Sequence, residues 1–245
     1  MSLALAYARF KLLEIFRIPV SFFGVLCPPL IAVTFFVLPL NGDDPLVSTM
    51  VLGSMAVFGV VIICIMEYAA DASQDRETPW YQYLRTLPAG PVPQFLGRVL
   101  FSLVMIVLSV GPAMIVGALF TEATASATQI LAAAGVLVLA VVPFSLIGLA
   151  AGYAIPPKSA VAVGQLLFLP LAFGGGLFSD PYNLPGFIEV ISPYLPTRGI
   201  GDLMWYSLGG PSPNPLALVM LVVWTVAMAA VAAWAYRRDE GRRYR

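Results

Sequence analysis

Residues 46–68 read LVSTMVLGSMAVFGVVIICIMEY, a continuous apolar run whose single charged residue, Glu67, lies at its end. A helix that crosses the hydrocarbon core of a bilayer needs about 20 such residues. The run shows no alternation of apolar and polar positions, which is typical of a buried or lipid-facing helix and not of a membrane β-barrel strand. We therefore predict that this segment spans a membrane as a helix.

The rest of the chain repeats this pattern. Composition is 60% hydrophobic and 11% charged, with a mean hydropathy of +0.89, whereas soluble domains are about half apolar and a quarter charged. The five further apolar runs cover residues 20–40, 95–120, 130–153, 159–178 and 216–236. Six spans take roughly 120 residues, which leaves no room for a separate soluble domain. We predict an all-α polytopic membrane protein with six transmembrane helices, forming a single domain over residues 1–245.

The distribution of positive charge predicts the orientation. Every Lys and Arg except Arg198 lies before the first run, after the sixth, or between the second and third or the fourth and fifth runs, with Arg98 at the very start of the third. The positive-inside rule places these segments in the cytoplasm, so both termini are predicted to be cytoplasmic. The absence of histidine excludes imidazole chemistry, and the two cysteines are too few for a disulfide framework or a four-cysteine zinc site.

Two segments on the cytoplasmic side are amphipathic. Residues 1–18 predict a helix lying in the membrane interface, either a simple anchor or a docking platform. Its apolar face carries Leu5, Ala8, Leu12, Ile15 and Phe16, and its polar positions are Arg9, Lys11, Glu14 and Arg17. Residues 75–90 predict a second short helix, with Thr78 as N-cap, Pro79 at the first position and Pro88 as the stop. Its apolar positions are Trp80, Tyr83, Leu84 and Leu87, which fit an interfacial belt or a protein contact equally well.

The outer connector, residues 180–213, is rich in proline and too short to span. It predicts two short re-entrant or interfacial helices, near residues 187–191 and 201–208, preceded by a loosening of the fifth span at residues 174–176. In the fourth span, Gly148 and Gly152 have the spacing for close helix contact, within the chain or between two copies.

Acidic residues recur every four positions at the end of the second span, at Glu67, Asp71 and Asp75, and therefore share one helical face. Glu67 and Asp71 fit structural acids paired inside the bundle or members of a proton or ion relay. Two alternative functions rest on these acids. One is a lipid-modifying membrane enzyme with a metal held by Glu67, Asp71, Asp75 and Glu77, and the other is a proton-coupled secondary transporter that uses Glu67.

Several motifs occur in a characteristic order: RET at 76–78, YLRTLP at 83–88, GGGLF at 174–178, LPGF at 184–187 and SPYLPT at 192–197. Together with the six-span layout, this order resembles the ABC-2 type transporter permeases, the transmembrane subunits of type V ABC exporters, over about residues 1–236. The resemblance implies a bacterial plasma-membrane permease that pairs with a second permease, identical or paralogous, and with two ATP-binding cassette subunits. Drug and antibiotic exporters are the nearest relatives by pattern, followed by lipid exporters.

The resemblance also implies roles for particular residues. Those expected to couple to the ATPase are Arg76, Glu77, Trp80, Tyr81, Tyr83, Leu84, Arg85 and Leu87. The chain has no phosphate-binding Gly-x-x-x-x-Gly-Lys-[Ser/Thr] motif, so ATP and magnesium are expected on the partner and no catalytic residue, cofactor or metal in this chain. Nucleic acid is not an expected partner, whereas membrane lipids are.

The expected substrate is apolar or amphipathic, since the spans offer apolar and small residues but almost no fixed charge. Aromatic residues at intervals of five in the fifth span either line a substrate path or face lipid. The candidate path residues are Phe168, Phe173, Gly174, Gly175 and Phe178.

Overall fold

The computed structural model describes residues 3–38, 44–78 and 92–242. Within these ranges the chain is helical and contains no β-strand, only one isolated bridge between Asp180 and Asn183. The all-helical prediction is therefore confirmed.

Nine α-helices are described, numbered here in chain order. They are α1 (Leu3–Arg17), α2 (Pro19–Ala32), α3 (Pro45–Asp75), α4 (Val92–Phe120), α5 (Ala127–Ala154), α6 (Pro157–Gly174), α7 (Gly186–Ile191), α8 (Pro196–Ser207) and α9 (Pro215–Arg242). A π-helical turn, Val33–Val37, extends α2, and a second one, Ile63–Glu67, lies within α3. A 3₁₀ turn, Ser192–Tyr194, links α7 to α8.

Five of the described helices are long and apolar enough to cross a membrane: α3, α4, α5, α6 and α9. The pair formed by Leu3–Arg17 and Phe22–Val37 is bent by 82° and makes a sixth span if it is counted as one. The chain is thus a multi-pass helical membrane protein, and the predicted six spans correspond to the upper of these two counts.

Helix α3 forms the centre of the bundle. Its most apolar 18-residue stretch is 83% buried, compared with 17% for the corresponding stretch of α9. Helix α5 approaches α3 through its two glycines. A Cβ added to Gly148 would lie 2.8 Å from Cβ of Tyr68, and one added to Gly152 would lie 2.7 Å from Cβ of Ala72. The glycine spacing therefore serves packing within the chain.

The end of the bundle where α1 meets the last turn of α3 and the first turn of α4 is called the junction end below. At the opposite end, α6 stops at Gly174, and Gly176 takes a φ of +80°, a backbone conformation that favours glycine.

The prediction for the second short outer helix was wrong at its start, because α8 begins at Pro196 and not near residue 201. Leu195 has extended backbone angles and Pro196 occupies the first helical position, where its missing N–H costs nothing. The hydroxyl of Thr197 donates to the Leu171 carbonyl at 2.6 Å, which fixes this first turn against α6.

Candidate functional site

Five side chains from three helices form a polar cluster at the junction end. We call it the junction cluster; its members are Tyr7, Lys11, Asp71, Asp75 and Arg98. Asp75 is its centre, since its Oδ2 accepts from the Tyr7 hydroxyl at 3.0 Å and pairs with the Arg98 guanidinium at 2.7 Å. The Arg98 side chain is only 5% exposed, so this is a largely desolvated ion pair.

Lys11 links α1 to α3. Its Nζ lies 3.4 Å from Oδ2 of Asp71 and 3.4 Å from Oδ1 of Asp75. It also lies 3.2 Å from Oε2 of Glu14, one turn along α1. The sequence placed Lys11 on the polar outer face of α1, but its side chain is only 15% exposed because the acids of α3 draw it inward. The other polar positions predicted for this helix, Arg9, Glu14 and Arg17, are exposed.

The close approach of α1 to α4 depends on Gly97. A Cβ at this position would lie 2.8 Å from Cβ of Tyr7 and 2.9 Å from the carbonyl oxygen of Ala4. Arg98, the next residue, also has its guanidinium carbon 5.8 Å from the centre of the Tyr7 ring. Helix α1 is therefore packed against the bundle, and Ala8 and Ile15 are buried in it.

Arg76 and Glu77 have different environments. The Arg76 guanidinium donates to the carbonyls of Tyr153 at 2.8 Å and Ile155 at 2.6 Å, at the C-terminal end of α5. A cation in this place satisfies carbonyls that have no helical partner and complements the helix dipole. Glu77 is exposed. Arg76 thus ties the end of α3 to the end of α5.

Most of the predicted coupling segment lies outside the described residues. These include its candidate residues Trp80, Tyr81, Tyr83, Leu84, Arg85 and Leu87. Its entry is described: α3 ends at Asp75, and the Thr78 hydroxyl donates to the Asp75 carbonyl at 2.7 Å. Helix α3 therefore ends before Pro79. Because Asp75 pairs with Arg98, the helices on either side of this segment are joined at its base.

Glu67 lies one turn of α3 before Asp71 and does not join the junction cluster. Within the described ranges it makes no hydrogen bond and no ion pair, whereas Asp71 and Asp75 face Lys11 and Arg98. It borders a cavity of about 100 Å³ between α2 and α3. Among these same residues, no three His, Cys, Asp or Glu side chains are grouped so that they could hold a metal ion.

The three phenylalanines of the candidate substrate path belong to one aromatic cluster. Phe178 lies 4.4 Å from Phe173 and 5.0 Å from Phe58, measured between ring centroids. Phe168 lies 5.2 Å from Phe58 and is buried, while Phe173 is 44% exposed. Gly175 allows α8 to approach, because the Thr197 side chain occupies the space that a Cβ there would take.

A largely buried ion pair, between Arg198 and Asp202, lies at the opposite end. Nε of Arg198 lies 2.7 Å from Oδ1 of Asp202, and its guanidinium lies 4.7 Å from the centre of the Trp205 ring. Burial raises the pKa of the Asp202 carboxyl, against the opposing effects of the Asn214 N–H and Arg198. The pair connects two turns of α8 and orients Trp205 within the bundle.

Comparison with known proteins gives the family. The family model for the ABC-2 type transporter matches residues 3–208, most of the chain. The chain belongs to the ABC-2 type transporter family. It is also similar to a Bacillus subtilis (strain 168) protein named "Putative transport permease YvfS", with 23% identity over 187 residues, covering 76% of each chain.

Family membership assigns the chain a general role. ABC-2 type proteins are the membrane-embedded part of an ABC transporter, so this chain is a transport subunit, and the family implies an ATP-binding cassette partner in general. The resemblance inferred from the order of sequence motifs is thereby confirmed.

Sequence reasoning missed two members of the junction cluster of this ABC-2 chain, Tyr7 and Arg98. From the sequence, Arg98 was used only as a positive charge in the orientation argument, although it lies in the first turn of an apolar run. A charge in such a position needs a partner, and the acids spaced by four at the end of the second span were available. That pairing was the signal that could have been used.

Proposed function

We propose that this chain is the permease subunit of an ATP-driven exporter in the bacterial plasma membrane, with both termini in the cytoplasm. Two ATP-binding cassette subunits bind and hydrolyse ATP with magnesium, and a second permease, identical or paralogous, completes the transmembrane unit. The cargo is an apolar or amphipathic small molecule, such as a drug, an antibiotic or a lipid-like compound. No bond of the cargo is made or broken in this chain.

The observation that carries the proposal is the junction cluster. The predicted coupling segment connects the end of α3, at Asp75, to the start of α4, at Val92. The Asp75–Arg98 ion pair holds these two helix ends together. The pairs from Lys11 attach α1 to the same point. A force applied to the coupling segment therefore reaches α1, α3 and α4 together.

The energetic argument is one of differential binding. ATP closes the two cassette subunits on each other, and this closure favours one orientation of the permeases only if the coupling contacts differ between the two orientations. Helix α3 suits the transmission of such a movement, since it is the most buried of the candidate spans and contacts both α4 and α5. A shift of its junction end would therefore displace α4 and α5 as well.

The placement of charge at the junction end supports the proposed orientation. Lys11, Arg76 and Arg98 are grouped there, and the last turns of α9, which include Arg237 and Arg238, reach the same end, since the Tyr236 ring of α9 contacts Tyr153. The positive-inside rule assigns such an end to the cytoplasm, where ATP is available to the partner.

The test is co-expression with candidate ATP-binding cassette proteins from the same genome. Replacing Tyr83 and Leu84 by Ala should reduce copurification of the ATPase at least about tenfold, because such aromatic and apolar side chains dominate contact energies. The matched control is Tyr206→Ala, an exposed tyrosine at the opposite end of the bundle. Unchanged assembly and unchanged stimulation of ATP hydrolysis in the double variant would contradict the coupling role.

A second measurement separates an ATP-driven exporter from a proton-coupled one. Vesicles that contain the assembled complex should move a fluorescent amphipathic dye only when ATP and magnesium are present on the side of the junction end. Transport driven by a pH gradient alone, without nucleotide, would contradict the proposal.

A further inference from the structure

The cavity bordered by Glu67 contains one carboxylate among apolar walls. It lies between α2 and α3, has a volume of about 100 Å³ and is open on one side. Apart from Glu67, its lining is apolar or glycine and includes Gly24, Pro28, Ile62 and Met66. This volume admits a small polar head group and not a complete drug-sized molecule, for which pockets of roughly 300–1,000 Å³ are usual.

Among the described residues Glu67 forms no ion pair. Lys11 is close enough to act on Glu67 through space, but its ion pairs are with Glu14, Asp71 and Asp75. Arg98 pairs with Asp75, so neither of these described cations forms an ion pair with Glu67. An ionised carboxylate in an apolar environment is costly unless a cation accompanies it. The site is therefore complementary to a positively charged ligand.

A backbone carbonyl of α2 adds a second acceptor. Pro28 and Pro29 have no N–H, so the carbonyls of Gly24 and Val25 lose their usual helical donors. The Ser109 hydroxyl replaces the missing donor at the Val25 carbonyl, at 2.8 Å. No side chain of the described residues donates to the Gly24 carbonyl, and Gly24 lines the cavity. The carboxylate suits a ligand that carries N–H donors and a positive charge, and a Gly24 carbonyl without its usual helical donor beside the cavity is a candidate second acceptor.

The local backbone of α3 is typical of a functional site at Glu67. Glu67 is the last residue of the π-helical turn Ile63–Glu67, and such single turns are frequent at functional sites. Outside the cavity, α2 exposes apolar side chains, among them Phe23 and Ile31. An amphipathic ligand with its head group in the cavity would find an apolar surface for the rest of the molecule.

We propose that this cavity binds the protonated amine of a cationic amphipathic cargo, with Glu67 as its counter-ion and the Gly24 carbonyl as a second acceptor. The proposal rests on the proposed function and names the class of cargo more closely. Neutral molecules of the same shape lack both the charge and the donor, and therefore bind less tightly.

The test uses a matched pair of fluorescent probes, monodansylcadaverine, a primary amine, and its neutral N-acetyl derivative. Binding to the purified full chain in lipid nanodiscs is followed by fluorescence anisotropy without nucleotide. We expect the wild type to prefer the amine by about tenfold, a modest figure for one charge pair. The Glu67→Gln variant, which keeps the shape of the side chain, should lose this preference, and Glu67→Asp should keep part of it.

Two further variants make the result specific. Gly24→Leu should weaken binding of both probes, because Gly24 lines the cavity and the substitution adds bulk to its wall. A Cβ at Gly24 meets no other atom within 4 Å, so the variant should still fold. Glu122→Gln removes an exposed acid elsewhere and should leave the amine preference unchanged. An amine preference that persists in Glu67→Gln, or its absence in the wild type, would overturn the proposal.

The design separates this inference from the proposed function. Probe binding needs no ATPase, whereas copurification and ATP hydrolysis report on the exporter assignment. If Glu67→Gln assembles with the cassette protein and hydrolyses ATP but no longer prefers the amine, both proposals are supported. If the Tyr83 and Leu84 variant loses assembly but keeps the amine preference, the loss of assembly supports the coupling role and the retained preference supports the cavity. An intact assembly with no amine preference in the wild type refutes the cavity alone.

Discussion

The two ends of α3 are held in place by different kinds of interaction. At the junction end, charged side chains join three helices, with Asp75 bound by Arg98 at 2.7 Å and by Tyr7 at 3.0 Å. At the opposite end, α8 is attached to α3 by a neutral hydrogen bond from the indole N–H of Trp205 to the Ser54 hydroxyl at 2.8 Å, together with close packing. The contacts of α3 with its neighbours therefore depend on charge at the junction end and on shape at the opposite end, where the Arg198–Asp202 pair lies within α8.

This difference suits an exporter that is driven from one side. Ion pairs act over several ångströms and keep part of their attraction when helices shift, whereas close-packed contacts are lost over less than one ångström. We therefore expect the junction end to tolerate movement and the opposite end to keep a fixed geometry. The following predictions test this contrast.

The largest effect is expected from Gly199→Val at the shape-dependent end. A Cβ at Gly199 would lie 2.7 Å from the Ala217 carbonyl oxygen and 2.9 Å from Cβ of Leu221, so α8 and α9 must separate. We expect a loss of about 3 kcal/mol in unfolding free energy, measured by thermal unfolding in detergent. Gly135→Val is the control, since a Cβ there meets no atom within 4 Å. Equal losses in both variants would contradict the close-packing explanation.

Asp75→Asn should destabilise the junction end by about 2 kcal/mol, because it leaves the buried Arg98 guanidinium without its counter-charge. It should also release α1, so that trypsin cleaves faster after Arg9 and Arg17. Glu77→Gln, which neutralises an exposed acid two positions away, should have little effect. If the losses from Asp75→Asn and Arg98→Gln simply add in the double variant, the two side chains are not coupled.

Much of the bundle was predictable from the sequence, and the reasons differ between elements. The apolar runs are long, so the spans are visible without tertiary information. The glycine spacing at Gly148 and Gly152 indicated close packing, although only the structure shows that the partner is α3. The inward position of Lys11 was not predictable, since periodicity separates two faces of α1 but does not say that acids of α3 lie beneath one of them. The start of α8 at Pro196 depends likewise on a tertiary contact, from Thr197 to α6.

Trp205→Phe should cost about 1 kcal/mol at the opposite end, because it removes one buried neutral hydrogen bond and keeps most of the aromatic packing. The measurement is thermal unfolding in the same detergent. Adding Ser54→Ala to this variant should cost little more, since the hydroxyl has already lost the indole donor. A further loss as large as the first would show that Ser54 acts through its other contact, with the Met50 carbonyl.

The smallest effect, and the sharpest test of the contrast, is expected from Lys11→Met. Its ion pairs are long, at 3.4 Å to Asp71 and Asp75, and partly exposed, so we expect a loss of about 0.5 kcal/mol at low ionic strength. This loss should shrink at about 1 M NaCl, where the Debye length is about 3 Å. The loss from Trp205→Phe should change little with salt, because the hydrogen bond is neutral and the Arg198 guanidinium over the ring is largely buried. If both variants respond to salt alike, the two ends of α3 do not differ in the way that their contacts indicate.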